Sequence, residues 1–340
     1  MDRFALFRLP TVALSEVMKM FPLFEITLLS LCSQKTRTWI KAFRLRRKDL
    51  RINFNFGNDT TVSVVNKPAK EFFVFCSKYP LWEMKYSVRL GNLTIPICIQ
   101  RDRRMDWMDF RFIFDDRIKG NIMIAEYLCS LFEKDISQVF FTSLFFSDYQ
   151  KVMEWVTERQ KRFISLKAAC HFTYDTEAAF LLENIKNANN VHFNLKLTPN
   201  FKAHFKFDGQ VFEIDQGFWF TLDNLMSINC LELYVKGSQL TNKEMNTFLK
   251  HWISNKLLKF KIIGIGLETI NLEALFDGIP MIRRSNDVRR FYGNIKGRAH
   301  FVVGGFDIQR NDGMTATIVC KATRIQPRRT WMIVWDNLSV

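Results

Sequence analysis

From about residue 120 onward the chain alternates strand-like and helix-like runs at a nearly constant period, and few folds accommodate that rhythm. The strand-like runs begin near residues 138, 166, 191, 231 and 258. Their spacing is roughly 25–28 residues, with one interval of about 40, which falls in the leucine-rich-repeat range. In such arrays each unit buries its apolar face only against its neighbours. The consensus Leu and Asn positions are degenerate, so the repetition is one of architecture and not of motif. The long interval contains "FKAHFKFDGQVFEID", which reads as a hairpin turning at Asp208-Gly209. The clearest helix is "TNKEMNTFLKHWI". There Thr241 and Glu244 have capping-box spacing, and Met245, Phe248, Leu249 and Trp252 fall at i, i+3, i+4 and i+7. Toward the end, "GGFDIQRNDGMTATIV" predicts a tight hairpin with Gly313 at positive φ, and "TWMIVW" predicts a last strand.

Alternate residues of a helix-backed strand face the helices and the others point away. On that phase the inward residues are Leu166, Ala168 and Cys170; Val191, Phe193 and Leu195; Leu231, Leu233 and Val235; and Leu258, Phe260 and Ile262. The outward set is Lys167, His171, His192, Asn194, Lys196, Tyr234, Lys236, Lys259 and Lys261, with Glu232 the only acid. A basic strip of this kind suits an acidic or phosphorylated segment of a protein partner.

Two other regions precede the array. Residues 50–120 are β-rich, with "LRINFNF", "TTVSVV", "EFFVFC", "WEMKYSVRL" and "LTIPICIQ". Ahead of them, residues 9–40 read as three short helices. Leu14, Val17, Met18 and Phe21 share one face, and Pro22 interrupts the pattern. Phe24, Leu28 and Leu31 then form one stripe, while Ile26 and Leu29 form another. The third helix places Thr36, Trp39, Ile40 and Phe43 together. About 40 residues is the lower limit for a self-contained core, so some of this apolar surface needs a partner.

Composition narrows the functional classes. The 49 Lys+Arg against 34 Asp+Glu give a net charge of +15, which suits an acidic protein, a nucleic acid or an anionic surface. Seven scattered cysteines with no C-x-x-C spacing argue for an intracellular, reducing compartment and against disulfides or zinc. No apolar run is long enough to span a bilayer. Gly264 and Gly266 in "IIGIGLET" invite a dinucleotide reading, but Thr269 stands where the third glycine belongs. A loop between repeat units accounts for them. The five histidines form no constellation with Ser or Cys, so neither an enzyme, a metal nor a cofactor is expected.

The residues that carry the most specific signal lie at the start. "FRLPTVALSEVMKMFPLFEITLLSLCSQKTRTWIK" resembles an F-box: a Leu-Pro entry, a short helix, a turn at Phe21-Pro22, and a second helix opened by Phe24-Glu25. "FWFTLDNLMSINCLELYVKGSQLTNKEMNTFLKHWI", "GGFDIQRNDGMTATIV" and "WMIVW" resemble the type-2 F-box-associated domain of a family expanded in nematodes. With the patterns above, the reading is an α+β chain with an F-box at 4–48, a β-rich connector at 50–120 and a leucine-rich-repeat-like F-box-associated domain at 121–340. The resemblance implies a substrate-recognition subunit of a Skp–cullin–F-box ubiquitin ligase, with Leu9, Pro10, Leu14, Val17, Met20, Pro22, Phe24, Leu28 and Leu31 meeting the Skp-type adaptor. A basic nucleic-acid-binding protein without catalytic activity is the alternative.

Overall fold

Prolines punctuate the N-terminal helices. Pro10 and Pro22 hold φ at −54° and −58° immediately ahead of α1 (Thr11–Met20) and α2 (Leu23–Cys32), where the lack of an N–H breaks no helical bond. The Ser33 hydroxyl accepts the Thr36 amide at the start of α3 (Gln34–Ala42). The computed structural model describes residues 6–42, 49–66, 69–77, 86–102, 107–143, 148–170, 174–257, 259–295, 297, 299–321 and 329–335, and every structural statement below concerns these. Phe43, His171 and Leu258 lie outside them. The chain divides into two compact units, Met1–Phe163 and Ile164–Val340.

In the first unit the helices are followed by strands β1 (Leu50–Phe56), β2 (Thr61–Asn66), β3 (Ala69–Ser77), β4 (Tyr86–Leu90), β5 (Leu93–Asp102) and β6 (Trp107–Ile113). Then come α4 (Arg117–Phe132), β7 (Ile136–Phe141) and α5 (Asp148–Arg159). The strand order is β7-β1-β2-β3-β6-β5-β4. The alternation of β1 fixes its faces: Leu50, Ile52, Phe54 and Phe56 are buried, while the Asn53 and Asn55 amides on the other face donate to Ser63 and Thr61 of β2. Because β1 pairs in parallel with β7, residues 50–120 share one sheet with a strand expected to belong to the repeat array. The Asp116 carboxylate caps α4 by accepting the amides of Ile118 and Lys119.

The second unit opens with β8 (Phe163–Cys170), α6 (Asp175–Glu183) and β9 (Ala188–Leu195), followed by β10 (Val211–Ile214), α7 (Leu222–Ser227), β11 (Glu232–Val235), α8 (Asn242–Ile253), β12 (Ile262–Gly266) and α9 (Leu272–Leu275). Strands β9, β10, β11 and β12 form a parallel ladder. The helices pack side by side, α7 on α8 and α8 on α9. The Thr241–Glu244 capping box is present at α8, as its spacing predicts. β13 (Ile282–Gly293), β14 (Ala299–Gln309), β15 (Thr315–Lys321) and β16 (Arg329–Trp335) complete the sheet, with β16 antiparallel to β12.

Two sequence expectations change here. The hairpin at 201–215 does not form: β10 runs parallel to both neighbours and fills the long interval with a further ladder strand. The alternating phenylalanines before it belong to an irregular segment that wraps Phe212. Phe205 stacks on Phe212 at 5.2 Å, Phe207 lies 5.1 Å from it, and Phe201 meets Trp219 edge-on at 5.1 Å. Their burial, not strand pairing, produces the alternation.

The Gly264-Gly266 stretch is likewise no loop but strand β12 itself, which starts later than "LKFKII" suggests. Register places Leu233 beside Ile263 and Glu232 beside Ile262. Ile262 therefore shares the face of Glu232, opposite to the inward position expected for it, and Lys259 and Lys261 precede the strand. A side chain at Gly264 would reach within 2.7 Å of the Trp331 ring, so the glycine makes room for that indole.

The β14–β15 turn at Asn311–Gly313 forms as expected, with Gly313 at φ 89°. The β13–β14 arm was not anticipated. Its register breaks between Arg284 and Arg289, opposite Gly304 and Gly305 at φ 60° and 106°. Among the described residues, no helix is long and apolar enough to cross a membrane.

Candidate interaction surfaces

The α2 helix has an unusual division of its faces. Its buried stripe is Leu23, Ile26, Thr27, Ser30 and Leu31, the spacing of one helical face. Two of these five are polar, and both are satisfied: Thr27 donates to the Leu23 carbonyl, while Ser30 bonds the Thr27 carbonyl and the Tyr127 hydroxyl. The apolar Phe24 and Leu28 are left half-buried. Among the other expected adaptor contacts, Leu9 and Val17 are half-buried, while Pro10, Pro22 and Met20 are exposed, Met20 by 83%. Leu14 and Leu31 are buried in the unit's own packing, so they support this surface from beneath and offer a partner little area. Val12, outside the expected set, is also exposed, by 77%. It falls outside the helical stripe that sequence periodicity selects.

On the ladder, the face away from the buried rows carries His192, Glu213, Tyr234, Gly264 and Trp331 in register across five strands. Tyr234 meets Trp331 edge-on at 6.0 Å across the bare Gly264. Asp215 follows β10 and accepts from His192 Nε2 at 2.9 Å and from Lys236 Nζ. The His192 bond, with Lys236 adding to it, holds the Asp215 carboxyl down at about 2 against the opposing effect of burial. Glu232 is only 1% exposed. Its carboxylate accepts the Tyr234 hydroxyl at 2.9 Å and the Ile295 amide at the tip of the β13–β14 arm. Burial, then the neighbouring Glu232 charge, pushes the Tyr234 hydroxyl up.

Glu232 is therefore not the only acid on this face. Once β10 is a ladder strand, Glu213 and Asp215 join it. The expected strip is interrupted accordingly: Lys236 is bound to Asp215, His192 to Asp215, and Tyr234 to Glu232. Asn194 accepts from Gln216 at 3.5 Å, Lys167 is half-buried, Lys196 is exposed, and Lys259 and Lys261 lie ahead of β12. The strand itself is legible in "QVFEID"; the Asp-Gly dipeptide pointed to the wrong pairing, a hairpin with the preceding segment in place of the parallel ladder with β9 and β11.

The donor atoms of His192, Glu213 and Asp215 lie within 4.8 Å of one another. Two of the three, His192 and Asp215, are already bonded together, and Lys236 pairs with the same Asp215 carboxylate, so the chemistry around Asp215 is that of an ion-pair network. Burial pushes the thiols of Cys129, Cys170 and Cys230 up to about 12, which suits them to packing and not to nucleophilic attack.

Comparison with known proteins adds two family matches. Residues 6–48 match the F-box domain, and residues 192–263 match the F-box associated domain. A Caenorhabditis elegans protein, "Skn-1 dependent zygotic transcript 15 protein", is 24% identical over 212 residues. That alignment covers 58% of this chain and 58% of the relative, so the chain spans little more than half the length of the curated relative it matches. No solved structure matches the chain.

Proposed function

We propose that this pairing of an F-box with an F-box-associated domain makes the chain a substrate-recognition subunit of a Skp–cullin–F-box ubiquitin ligase. On this reading the N-terminal helices bind a Skp-type adaptor, which links them to a cullin. The second unit, a leucine-rich-repeat-like array closed by antiparallel strands, holds a protein substrate. Ubiquitin transfer is left to other subunits.

The observation that supports this most is the phase of α2. A helix that faces its own unit with Leu23, Ile26, Thr27, Ser30 and Leu31, yet leaves Phe24 and Leu28 half-buried, with Pro22 and Met20 exposed just ahead of it, has a second apolar side available to a partner. Such anchors often contribute 2 kcal/mol or more at an interface. Leu9→Ala with Pro10→Ala is expected to abolish pull-down of a Skp-type adaptor while the C-terminal unit stays folded by circular dichroism. Adaptor binding at the wild-type level by that double variant would overturn the assignment.

A further inference from the structure

The β13–β14 arm has two unlike faces. On one, Tyr292 and Val302 pack against Val319, Ile333 and Trp335, and the Arg290 guanidinium lies over the Trp335 ring at 4.8 Å. The tip is tied down as well, because the Ile295 amide donates to buried Glu232. These contacts hold the arm without help from its other face. That other face nevertheless carries two large aromatic side chains. Phe291 and Phe301 stand directly opposite each other in register, with ring centroids 5.5 Å apart. They are 57% and 68% exposed. Val288, in the register break of the same strand, and Ile295, just beyond its end, are exposed as well. Grouped exposed apolar residues on a folded surface mark an interaction site, unlike scattered single ones.

The charges around the pair indicate the kind of partner. Among its described residues the arm carries Arg283, Arg284, Arg289 and Arg290 against the acids Asp287 and Asp307. Arg284 and Arg290 both bind Asp307, whose side chain is 4% exposed, so they serve the fold. Arg283 and Arg289 are exposed. An apolar centre with a cationic rim complements a segment that supplies aromatic or aliphatic anchors between carboxylates. Nucleic acid fits less well. Its affinity grows with the number of phosphates neutralised, and two of the arm's four described arginines are engaged with Asp307. The two rings also meet edge-on, which gives no parallel platforms for successive bases.

We infer that the outer face of the β13–β14 arm, centred on Phe291 and Phe301, is the docking surface for an acidic protein segment bearing apolar anchors. The inference deepens the ligase reading, on which it rests for calling that segment a substrate, and it moves the recognition surface from the ladder's open face to the arm.

A library of random 12-residue peptides displayed on phage, selected on the full-length chain, tests it. Enriched peptides are expected to be net negative and to contain Phe, Trp or Leu. As synthetic peptides they should bind Phe291→Ser/Phe301→Ser at least tenfold more weakly than wild type, and Arg289→Ser severalfold more weakly. Lys196→Glu/Lys259→Glu, which changes exposed lysines off the arm, should bind them unchanged. Thermal melting checks that the double Ser variant is folded, and Phe301→Ser alone replaces it if it is not.

Three results would overturn the inference: no enrichment, enriched peptides that ignore the aromatic pair, or a 20-nucleotide single-stranded RNA whose binding depends on the pair. Adaptor pull-down with the same preparations separates this from the ligase reading. Lost adaptor binding by the wild-type chain sinks the ligase assignment alone, and lost peptide binding with adaptor retained supports the arm.

Discussion

Across β9, β10 and β11 the ladder's open face carries charged and hydroxyl groups that answer one another: His192 and Lys236 both bind Asp215, and Tyr234 binds Glu232. On the β13–β14 arm of the same unit the arrangement is reversed. There the polar groups that bond internally, Arg284 and Arg290 on Asp307, belong to the fold, and the aromatic pair faces water. A charged surface whose charges are mutually satisfied has little to gain from a partner, because a partner must compete with bonds already made. An apolar surface exposed to water gains from any partner that covers it. A surface rich in lysine and histidine in the sequence is thus the quieter of the two, and a short aromatic pair is the more receptive.

The largest test of this contrast concerns β10, because the neutralising acids reach the open face only if that strand is in the ladder. Phe212 is fully buried among Phe193, Phe205 and Phe207. Phe212→Ala should cost about 3–5 kcal/mol in the C-terminal unfolding transition followed by urea and tryptophan fluorescence. A loss under about 1 kcal/mol would mean that residues 211–214 form a peripheral hairpin after all.

Next in size is the tie between the two surfaces. Glu232→Ala removes the acceptor for the Ile295 amide and the Tyr234 hydroxyl, and losing hydrogen bonds to a buried carboxylate costs about 1–3 kcal/mol. Hydrogen exchange at residues 290–295 should rise along with that loss. Glu232→Gln, which keeps an acceptor, should lose less. Exchange that stays unchanged in the Ala variant would show that the inner face alone holds the arm.

The ion-pair network makes a smaller, pH-dependent contribution. The Asp215 carboxyl titrates at about 2 in the folded chain, below the roughly 3.9 of an unfolded aspartate. Its stabilisation is therefore complete above about pH 4 and is lost as the pH falls through about 2. Allowing for solvent screening of a partly exposed pair, this amounts to about 1 kcal/mol. Asp215→Asn should flatten the acid limb of stability against pH by that amount between pH ~4 and ~2. An unaltered limb would mean the face is held by other contacts.

The smallest expected change is on the arm's outer face. Phe291→Ser/Phe301→Ser removes one cross-strand pair and little burial, so stability should fall by less than about 1 kcal/mol. A much larger loss in the melting profile would reveal the pair as a structural element and remove the reason to call it a docking surface.

Much of the local structure was legible in the residues. The prolines ahead of α1 and α2, the Thr241–Glu244 box at α8 and the Asn311-Asp312-Gly313 turn each act through bonds or dihedral angles within a few residues, so neighbours in sequence contain the whole signal. The candidate surfaces were legible only in part. The positions of Phe24 and Leu28 on one stripe of a short helix followed from periodicity and Met20 from the F-box resemblance, but which stripe of α2 turns inward depended on Tyr127 being there to meet Ser30.

The strand faces went furthest astray. Asp208-Gly209 is a strong local turn signal, yet residues 211–214 pair with β9 and β11 in parallel, with Phe212 enclosed by the rings of Phe193, Phe205 and Phe207 from earlier in the chain. Gly264 resembles a nucleotide-loop glycine until Trp331, distant in sequence, lies over it. Nothing in "RRFYG" by itself distinguishes the inward Tyr292 from the outward Phe291, since both are aromatic and adjacent in one strand. The sequence by itself determined where α1, α2 and α8 begin, where the β14–β15 turn lies and that this is a strand-and-helix chain with an apolar N-terminal helical segment. Only the tertiary structure decided which charges cancel and which apolar groups remain in water, because a strand's two faces acquire different energies only once other segments, brought in from elsewhere in the chain, cover one of them.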